Sequence, residues 1–216
     1  MAKIDRHKVF ISYYHKDDQD YKNYLVDPNR YYYYDIEKRK YISPFDDYSV
    51  GFGDIDDEGM SSEQIRRLIR DDYISDASVL ILLCGENTRF RKHIDWEIHA
   101  AMYDSDNNPQ MGIVVINLPS IKGKQYVRVS DDSEKSIVST GGNWVTLNTR
   151  EEFENAYPYM PSRIIDNLVK HNPITVIDWD RIVNNTEKLM VLIDNAFKRK
   201  DDIKYDHSAP LRRRNS

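Results

Sequence analysis

Two short apolar runs mark the centre of the chain and enclose a segment with helical periodicity. The runs are Val79–Cys84 (VLILLC) and Ile113–Ile116 (IVVI). Uninterrupted apolar runs of this length are typical of strands that are buried on both faces, as in a parallel sheet. The segment between them, residues 91–103, has apolar side chains at the 3.6-residue period. These are Ile94, Ile98, Ala101 and Met102. The pattern therefore predicts two parallel strands joined by a crossover helix.

The alternation of strand and helix extends towards both ends of the chain. A β-branched and aromatic run at residues 8–14 predicts the first strand, and Asp17 or Asp18 could cap the helix that follows it. Ser61 and Gln64 have the spacing of a capping box at the start of another helix. The remaining predictions are strands within residues 45–50 and 174–177, and helices over residues 18–26, 61–73, 161–169 and 180–200. Alternating elements of this kind predict an α/β fold, a doubly wound parallel sheet with helices on both faces.

The pattern weakens in three places. Residues 118–160 are polar and glycine-rich without a sustained period, which predicts an irregular insertion. Residues 201–216 include Arg212–Arg214 and predict a flexible, solvated tail. The aromatic and charged segment 29–42 supports no assignment. We therefore expect one domain over residues 1–200, followed by the tail.

Composition narrows the setting in which the protein works. The chain has 216 residues, of which 40% are hydrophobic and 31% charged, so a substantial core and a polar surface are both expected. The N-terminus lacks the apolar region of a signal peptide and no run has the length of a membrane span, which predicts a cytoplasmic protein without membrane contact. The single cysteine, Cys84, excludes an intramolecular disulfide and is expected in the core. A net charge of −5 argues against nucleic acid as a partner.

Glu97 lies on the flank of the apolar stripe in the central helix. A carboxylate there would be half sheltered near the lip of a cleft, whereas Trp96 and Tyr103 fall on the opposite side of the helix. The alternative is a solvated glutamate paired with Lys92 or His93, and periodicity alone favours it because most helix glutamates face solvent. His93 and Glu97 also have the i, i+4 spacing of metal ligands. Without a further His or Cys cluster, we expect no metal site.

Three segments resemble those of a TIR domain and follow one another in the same order. The residues Phe10–Tyr13 (FISY) and His15–Asp17 are similar to the first TIR strand and the charged loop after it. Ser78–Cys84 resembles the third strand, and Arg89–Ile98 resembles the segment that ends in the TIR glutamate. The layout is most similar to the stand-alone TIR-like proteins of bacterial Thoeris anti-phage defence, over about residues 8–117. The sequence differs from the TIR pattern in placing a tryptophan directly before the glutamate and in having an acidic loop after the second strand.

The resemblance implies a flavodoxin-like, TIR-like fold and an enzyme that cleaves nicotinamide from NAD+ to make a cyclic ADP-ribose-type signal. Glu97 would be catalytic, holding the ribose and stabilising the positive charge of an oxocarbenium-like transition state. NAD+ would be the substrate, with no cofactor and no metal. The signal would activate a separate effector protein of the same defence system, with a phage-derived trigger, and self-association into a homo-oligomer is left open. The residues expected to contact NAD+ are Phe10, Ser12, Tyr13, Tyr14, Asp47, Ser49 and Arg89.

Structural roles compete with each of these contacts. Strand packing is the alternative at the end of the first strand, and a turn is the alternative after the second. Arg89 and Arg91 could both attract the pyrophosphate, and surface charge without a specific partner is the alternative for them. Two other functions also remain open. One is a non-catalytic TIR-like module that signals through protein contacts at Tyr31–Tyr34, Trp96 or residues 118–159. The other is a flavodoxin-like small-molecule binder that shares only the fold.

Overall fold

In the computed structural model of the protein, the described residues are 4–49, 59–69, 71, 74, 76–105, 109–123, 126–139 and 144–215. Their strands are β1 (Lys8–Ser12), β2 (Tyr33–Asp35), β3 (Lys40–Ile42), β4 (Asp46–Asp47), β5 (Val79–Cys84), β6 (Gly112–Asn117) and β7 (Thr175–Asp178). Five of them form one parallel sheet in the order β4-β1-β5-β6-β7. The predicted doubly wound α/β fold is therefore confirmed, with the strand order of flavodoxin-like proteins.

Strand order fixes where a ligand is expected to bind. The chain leaves β1 towards β4 at one edge of the sheet and then returns to β5 on the other side of β1. The switch point between β1 and β5 opens a crevice at the carboxyl ends of these strands, and open α/β sheets bind their ligands in such a crevice. Ser12, at the end of β1, pairs with Leu82 of β5 and lies at this position.

The helices in the described part of the chain cover both faces of the sheet. They are α1 (His15–Val26), α2 (Ser62–Leu68), α3 (Lys92–Met102), α4 (Lys135–Val138), α5 (Arg150–Ala156), α6 (Ser162–Val169), α7 (Trp179–Ile182) and α8 (Thr186–Arg199). Side chains alternate across each strand, so Phe10 joins the apolar cluster on the α3 face while Val9 and Ile11 join the cluster on the α8 face. By the same alternation, Ser12 points to the α3 face.

Close packing of helix on sheet demands a glycine at one position. A Cβ atom on Gly112, at the start of β6, would lie 2.3 Å from the carbonyl oxygen of Ala196 in α8. Only a residue without a side chain lets the α8 backbone approach the strand this closely. The apolar runs predicted as β5 and β6 are buried at every residue, as strands of a parallel sheet covered on both faces should be.

Several helix boundaries differ from the predictions for local reasons. α1 begins at His15 with Tyr14 at the N-cap and no side-chain cap, so the prediction that Asp17 or Asp18 caps it is wrong. The C-terminal helix is broken into α7 and α8, because Asn185 accepts a hydrogen bond from the Lys188 N–H and starts a new helix.

Local capping was predicted more reliably in the second helix. Ser61 and Gln64 form the reciprocal capping box, in which each side chain accepts from the other residue's N–H. The predicted continuation of this helix to Tyr73, the last residue of the predicted second strand, Val50, and the acidic loop 51–58 lie outside the described residues.

The segments without a pattern contain ordered structure that periodicity did not reveal. Within residues 118–160, α5 begins with a capping box between Thr149 and Glu152. Residues 29–42 contain the antiparallel pair β2 and β3. The predicted solvated tail is packed instead, since Ile203, Tyr205 and Leu211 are buried against the α3 face of the domain. Their irregular spacing has no helical or strand period and therefore gave no sequence signal. None of the helices in the described residues has the length and hydrophobicity that a membrane crossing needs.

Candidate active site

Glu97 and Ser12 meet at the carboxyl end of the sheet. Glu97 lies in α3 and is 5% exposed, and Ser12 at the end of β1 is 1% exposed. The Ser12 hydroxyl donates a hydrogen bond to Glu97 Oε2 over 2.5 Å. The interpretation of Glu97 as a solvated residue is therefore wrong. Lys92 and His93, its alternative partners, contact the ring of Trp96 instead.

Burial controls the electrostatics of this pair. Removal from water raises the pKa of the Glu97 carboxyl to about 8, and the hydrogen bond from Ser12 opposes this only in part. The carboxyl is thus mostly protonated near neutral pH. A cation brought into the site would favour the ionised form, because opposite charges attract strongly where water is excluded. Such a group can respond electrostatically to a positively charged ligand.

Tyr13 and Tyr14 continue from Ser12 and form one side of the same region. Burial, together with the negative charges of Glu97 and Asp47, raises the pKa of the Tyr13 hydroxyl, which donates to Gln19 Oε1 over 2.9 Å. The guanidinium of Arg91, the N-cap residue of α3, lies 3.9 Å from the centre of the Tyr14 ring. This stacking holds a cation and an aromatic face beside the end of β1.

The predicted contacts on β4 and directly after it, Asp47 and Ser49, are near this region but are engaged in structural hydrogen bonds. Ser49 Oγ accepts from the Ile11 N–H over 2.8 Å and so extends the pairing of β4 with β1. Asp47 accepts from the Ser49 N–H and pairs with Lys22 of α1 at 3.0 Å. Both residues thus make the local hydrogen bonds expected of a turn, and Asp47 also contributes to the field at Tyr13.

Two other residues predicted to contact NAD+, Phe10 and Arg89, are engaged in contacts within the protein. Phe10 is 2% exposed and its ring belongs to the apolar core together with Trp96 and Ile98, which gives it a packing role. Arg89 donates to the carbonyl oxygen of Pro158 and stacks on Phe90, so its guanidinium is directed towards the segment before α6.

Asp18 is a second buried carboxylate near the ends of β1 and β5, and sequence reasoning assigned it a different role. It is 1% exposed, its Oδ2 atom has no hydrogen-bond partner, and burial followed by the charge of Asp17 raises its pKa to about 6. A Cβ atom on Gly85 would lie 2.7 Å from Asp18 Oδ1, so the turn after β5 approaches this carboxylate closely. The available signal was its i, i+7 spacing from buried Leu25, which places Asp18 on the inner face of α1.

Other features of the described residues do not add a metal or a thiol to the site. No group of three His, Cys, Asp or Glu side chains comes together at metal-binding distance in the part of the chain that is described. Burial raises the pKa of the Cys84 thiol to about 12, which makes it a poor nucleophile. A groove of about 950 Å³ is lined mainly by residues 126–129, 144–147, 152–153 and 155–157, with neither Ser12 nor Glu97 in its wall.

Comparison with known proteins identifies the family. The sequence model of the Thoeris protein ThsB, TIR-like domain, matches residues 10–122, which is 113 of the 216 residues and includes Ser12, Asp18 and Glu97. Searches of curated protein sequences and of solved structures gave no match. The matched region contains the last three residues of β1 and all of β4, β5, α3 and β6, the elements that form the switch point and the Ser12–Glu97 contact. The chain therefore belongs to the family of the Thoeris ThsB TIR-like domain and is a defence-related TIR-like protein.

Proposed function

We propose that this protein is a cytoplasmic anti-phage enzyme that cleaves NAD+ and produces a cyclic ADP-ribose-type signal, which activates a separate effector protein of the same defence system. The observation that carries the proposal is the contact between Glu97 and Ser12 at the switch point of the sheet. It places one buried carboxylate where an α/β sheet binds ligands. NAD+ is the substrate, and the reaction needs no further cofactor.

The chemistry needs one carboxylate and no general acid. In NAD+ the nicotinamide nitrogen is already positive, so the bond from ribose C1′ to that nitrogen breaks with both electrons moving to nicotinamide, which leaves as a neutral molecule. Positive charge then develops on C1′ and the ring oxygen. Ionised Glu97 would stabilise this charge inside a site of low dielectric constant, where a preformed carboxylate is most effective. The pyridinium of bound NAD+ favours the ionised form of Glu97 before the bond breaks.

The fate of the ribosyl cation depends on which acceptor is held nearest to it. Attack by water forms a C1′–O bond and releases a proton, which gives ADP-ribose. Attack by a hydroxyl or ring nitrogen of the same molecule forms a ring, with loss of the proton that the acceptor carried where it had one. An acceptor in the same molecule, held in reach, competes with water through its high effective concentration.

The neighbours of Glu97 support distinct parts of this reaction. The Ser12 hydroxyl fixes one carboxylate oxygen and leaves the group oriented towards the ribose. Tyr13, Tyr14, Asp47 and Ser49 remain proposed contacts to the nucleotide. For the pyrophosphate we propose Arg91 in place of Arg89, because Arg91 stacks on Tyr14 beside β1 whereas Arg89 is bonded to the Pro158 carbonyl.

Purified protein incubated with NAD+ tests the proposal, with nicotinamide and ribosyl products measured by mass spectrometry. We expect the wild type to release nicotinamide and form a cyclic product, with phage lysate added as a source of the trigger. Glu97→Gln should lower the rate by about a hundredfold or more, in the range of losing one preorganised electrostatic group. Glu151→Gln is the matched control, because Glu151 is an exposed glutamate on α5 and should behave as wild type. Equal rates for wild type and Glu97→Gln would contradict the proposal.

A second function is favoured by an exposed aromatic surface on the hairpin of β2 and β3. Tyr32, Tyr34 and Tyr41 are 41%, 51% and 65% exposed, and the ring of Tyr41 contacts those of Tyr32 and Tyr34 with centroid distances of 4.8 and 5.2 Å. Clustered aromatic side chains of this kind are typical of protein contacts. Trp96, proposed for the same role from sequence, is fully buried and is no part of this surface. A scaffold function predicts that Glu97→Gln still protects cells from phage while Tyr34→Ser with Tyr41→Ser does not.

A further inference from the structure

The C-terminal segment, residues 203–215, lies along the helix that carries Glu97. Its buried residues anchor it: Ile203, Tyr205 and Leu211 pack in the α3-face core, and the Tyr205 hydroxyl donates to the carbonyl oxygen of Met111 over 3.0 Å. The Asp206 N–H donates to Asn167 Oδ1 in α6 over 2.8 Å. The segment is therefore fixed to the domain before it reaches the start of α3.

A buried arginine joins the segment, α6 and α3. Arg163 of α6 is 1% exposed and donates from Nε and Nη2 to the two carboxylate oxygens of Asp95 in α3, over 3.0 and 3.2 Å. Its Nη1 and Nη2 atoms also donate to the carbonyl oxygens of Ala209 and Pro210, over 3.1 and 3.2 Å. Asp95 Oδ2 accepts a further bond from the Arg212 N–H over 2.9 Å. Both charges are thus satisfied by polar partners, which buried ions require.

The end of the segment completes the first turn of α3. The first N–H groups of a helix have no partner inside the helix, and Arg91, the N-cap residue, provides no side-chain cap. Asn215 provides the missing acceptor, because its Oδ1 accepts from the Lys92 N–H over 2.9 Å. One turn later, the Trp96 indole N–H donates to the carbonyl oxygen of Arg212 over 2.7 Å. Residues 212–215 therefore contact α3 at the residue directly before Glu97 and at the helix start.

We infer that the C-terminal segment positions the Glu97 carboxyl, and that Arg163, Asp95 and Asn215 are positioning residues for the reaction at Glu97. Ser12 lies in β1 and Glu97 in α3, and these two elements are far apart along the chain. The placement of the Glu97 carboxyl therefore depends on the position of α3 along its axis and on its rotation about that axis. The contacts from residues 209–215 fix the start of that helix. The effect on reaction rate rests on the proposed function, whereas the effect on the environment of Glu97 does not.

Truncation after Leu211 is the main test, since it keeps the three buried anchors and removes the hydrogen bonds that residues 212–215 make to α3. It also removes three positive charges. The matched control is therefore the full-length chain with Arg212→Ala, Arg213→Ala and Arg214→Ala, because the contacts of Arg212 to Asp95 and Trp96 come from its main chain. Asn215→Ala removes only the cap, and Asn215→Asp restores an acceptor with a charge that suits a helix N-terminus.

The primary readout is the titration of the Glu97 carboxyl by 13C NMR, assigned with Glu97→Gln. In the wild type the polar groups that act on it include the Ser12 hydroxyl at the end of β1 and the Tyr13 phenol directly after β1. We expect the truncated protein to titrate at least about one pH unit below the wild type, because a displaced carboxyl gains water. The triple alanine variant should titrate as wild type. Asn215→Ala should shift in the same direction as the truncation, and Asn215→Asp should return to the wild-type value.

Kinetics with NAD+ give the second readout, at a temperature where circular dichroism shows every variant folded. The truncated protein should lose about tenfold or more in kcat with little change in KM, because misplacement of the reacting group affects the transition state more than binding. A truncated protein with the wild-type titration would overturn the inference, as would a triple alanine variant that reproduces the truncation. If the truncated chain does not fold, the comparison of Asn215→Ala with Asn215→Asp tests the inference instead. Identical titration of Glu97 in these two variants would then overturn the inference. If the wild type does not consume NAD+, the proposed function fails, but the titration of Glu97 still tests whether the C-terminal segment positions this carboxyl.

Discussion

Replacing Glu97 by glutamine should change how the stability of the protein depends on pH. The substitution keeps the size of the side chain and an oxygen that can accept from Ser12, but it removes the ionisable group. In the folded protein the Glu97 carboxyl has a pKa of about 8, against the ordinary value of 4.5 that applies in the unfolded chain. Between these values the folded protein holds a proton that the unfolded chain releases. The free energy of unfolding therefore falls as the pH rises through this window, by about 1.4 kcal/mol per pH unit.

The size of the effect follows from this difference. The stability that comes from the neutral form is fully present below about pH 4.5 and is lost by about pH 8. From about pH 5 to about pH 7 the wild type should lose roughly 2.5 kcal/mol through this group. The glutamine variant has no such loss. Asp18, whose pKa is also raised, acts in the same direction in both proteins and cancels when the two are compared.

Urea unfolding followed by tryptophan fluorescence measures this difference directly. Wild type and Glu97→Gln are unfolded at four pH values from about 5 to about 8, with Glu151→Gln as the control for loss of a glutamate charge. The free energy of unfolding of Glu97→Gln, relative to that of the wild type, should rise by roughly 2–3 kcal/mol from about pH 5 to about pH 7. If the free energies of unfolding of the two proteins run parallel over this range, Glu97 ionises as an ordinary carboxyl, and the account of a buried neutral group is wrong.

Three further predictions concern the rate and the packing around the site. First, kcat/KM for NAD+ should rise with pH to a plateau, with a midpoint near pH 8, because the free enzyme reacts in the form with ionised Glu97. A flat profile between about pH 6 and pH 9 would count against this role of Glu97. Second, Gly85→Ala should lower the free energy of unfolding by about 1–3 kcal/mol, because the added methyl group clashes with Asp18. Adding Asp18→Ala to this variant should recover part of the lost stability, and strictly additive effects of the two substitutions in urea unfolding would refute the contact. Third, Arg163→Met should lower the free energy of unfolding by about 3–5 kcal/mol, because it leaves Asp95 buried without its cation. The loss should be smaller when Asp95→Asn is also present, and a loss below about 1 kcal/mol for Arg163→Met alone would show that the pair is not buried.

The features that the sequence could predict are those set by local pattern. β5 and β6 are buried on both faces, so their residues are apolar without interruption and their limits could be identified to within a residue. The capping box of Ser61 and Gln64 depends on two side chains three residues apart. In each case the interaction that defines the element is written within a few consecutive residues.

The features that could not be predicted arise from contacts between distant segments. Ser12 and Glu97 are separated by 85 positions, and their contact follows from strand order and helix placement together. Periodicity placed Glu97 on the flank of an apolar stripe but could not distinguish a buried flank from a solvated one. For Asp18, the preference of aspartate for helix N-termini predicted a cap, whereas its side chain is buried on the inner face of α1 against the turn at Gly85.

The C-terminal segment gave a misleading signal for a related reason. Its arginines and its lack of period are typical of a solvated tail, and the contacts that hold residues 209–212 use mainly backbone carbonyl and N–H groups. Every residue type carries those groups, so no side-chain pattern reveals them. The buried partner, Arg163, lies in α6, which the sequence did predict, but its partner Asp95 is 68 positions away.

The most direct test of the central claim is mass spectrometry of small molecules from phage-infected cells that carry the wild type, Glu97→Gln or Glu151→Gln. The account predicts that NAD+ falls and a cyclic ADP-ribose-type product accumulates during infection with the wild type and with Glu151→Gln, and that neither change occurs with Glu97→Gln. Protection from phage by Glu97→Gln without any such product would contradict the account and favour a function based on protein contacts alone.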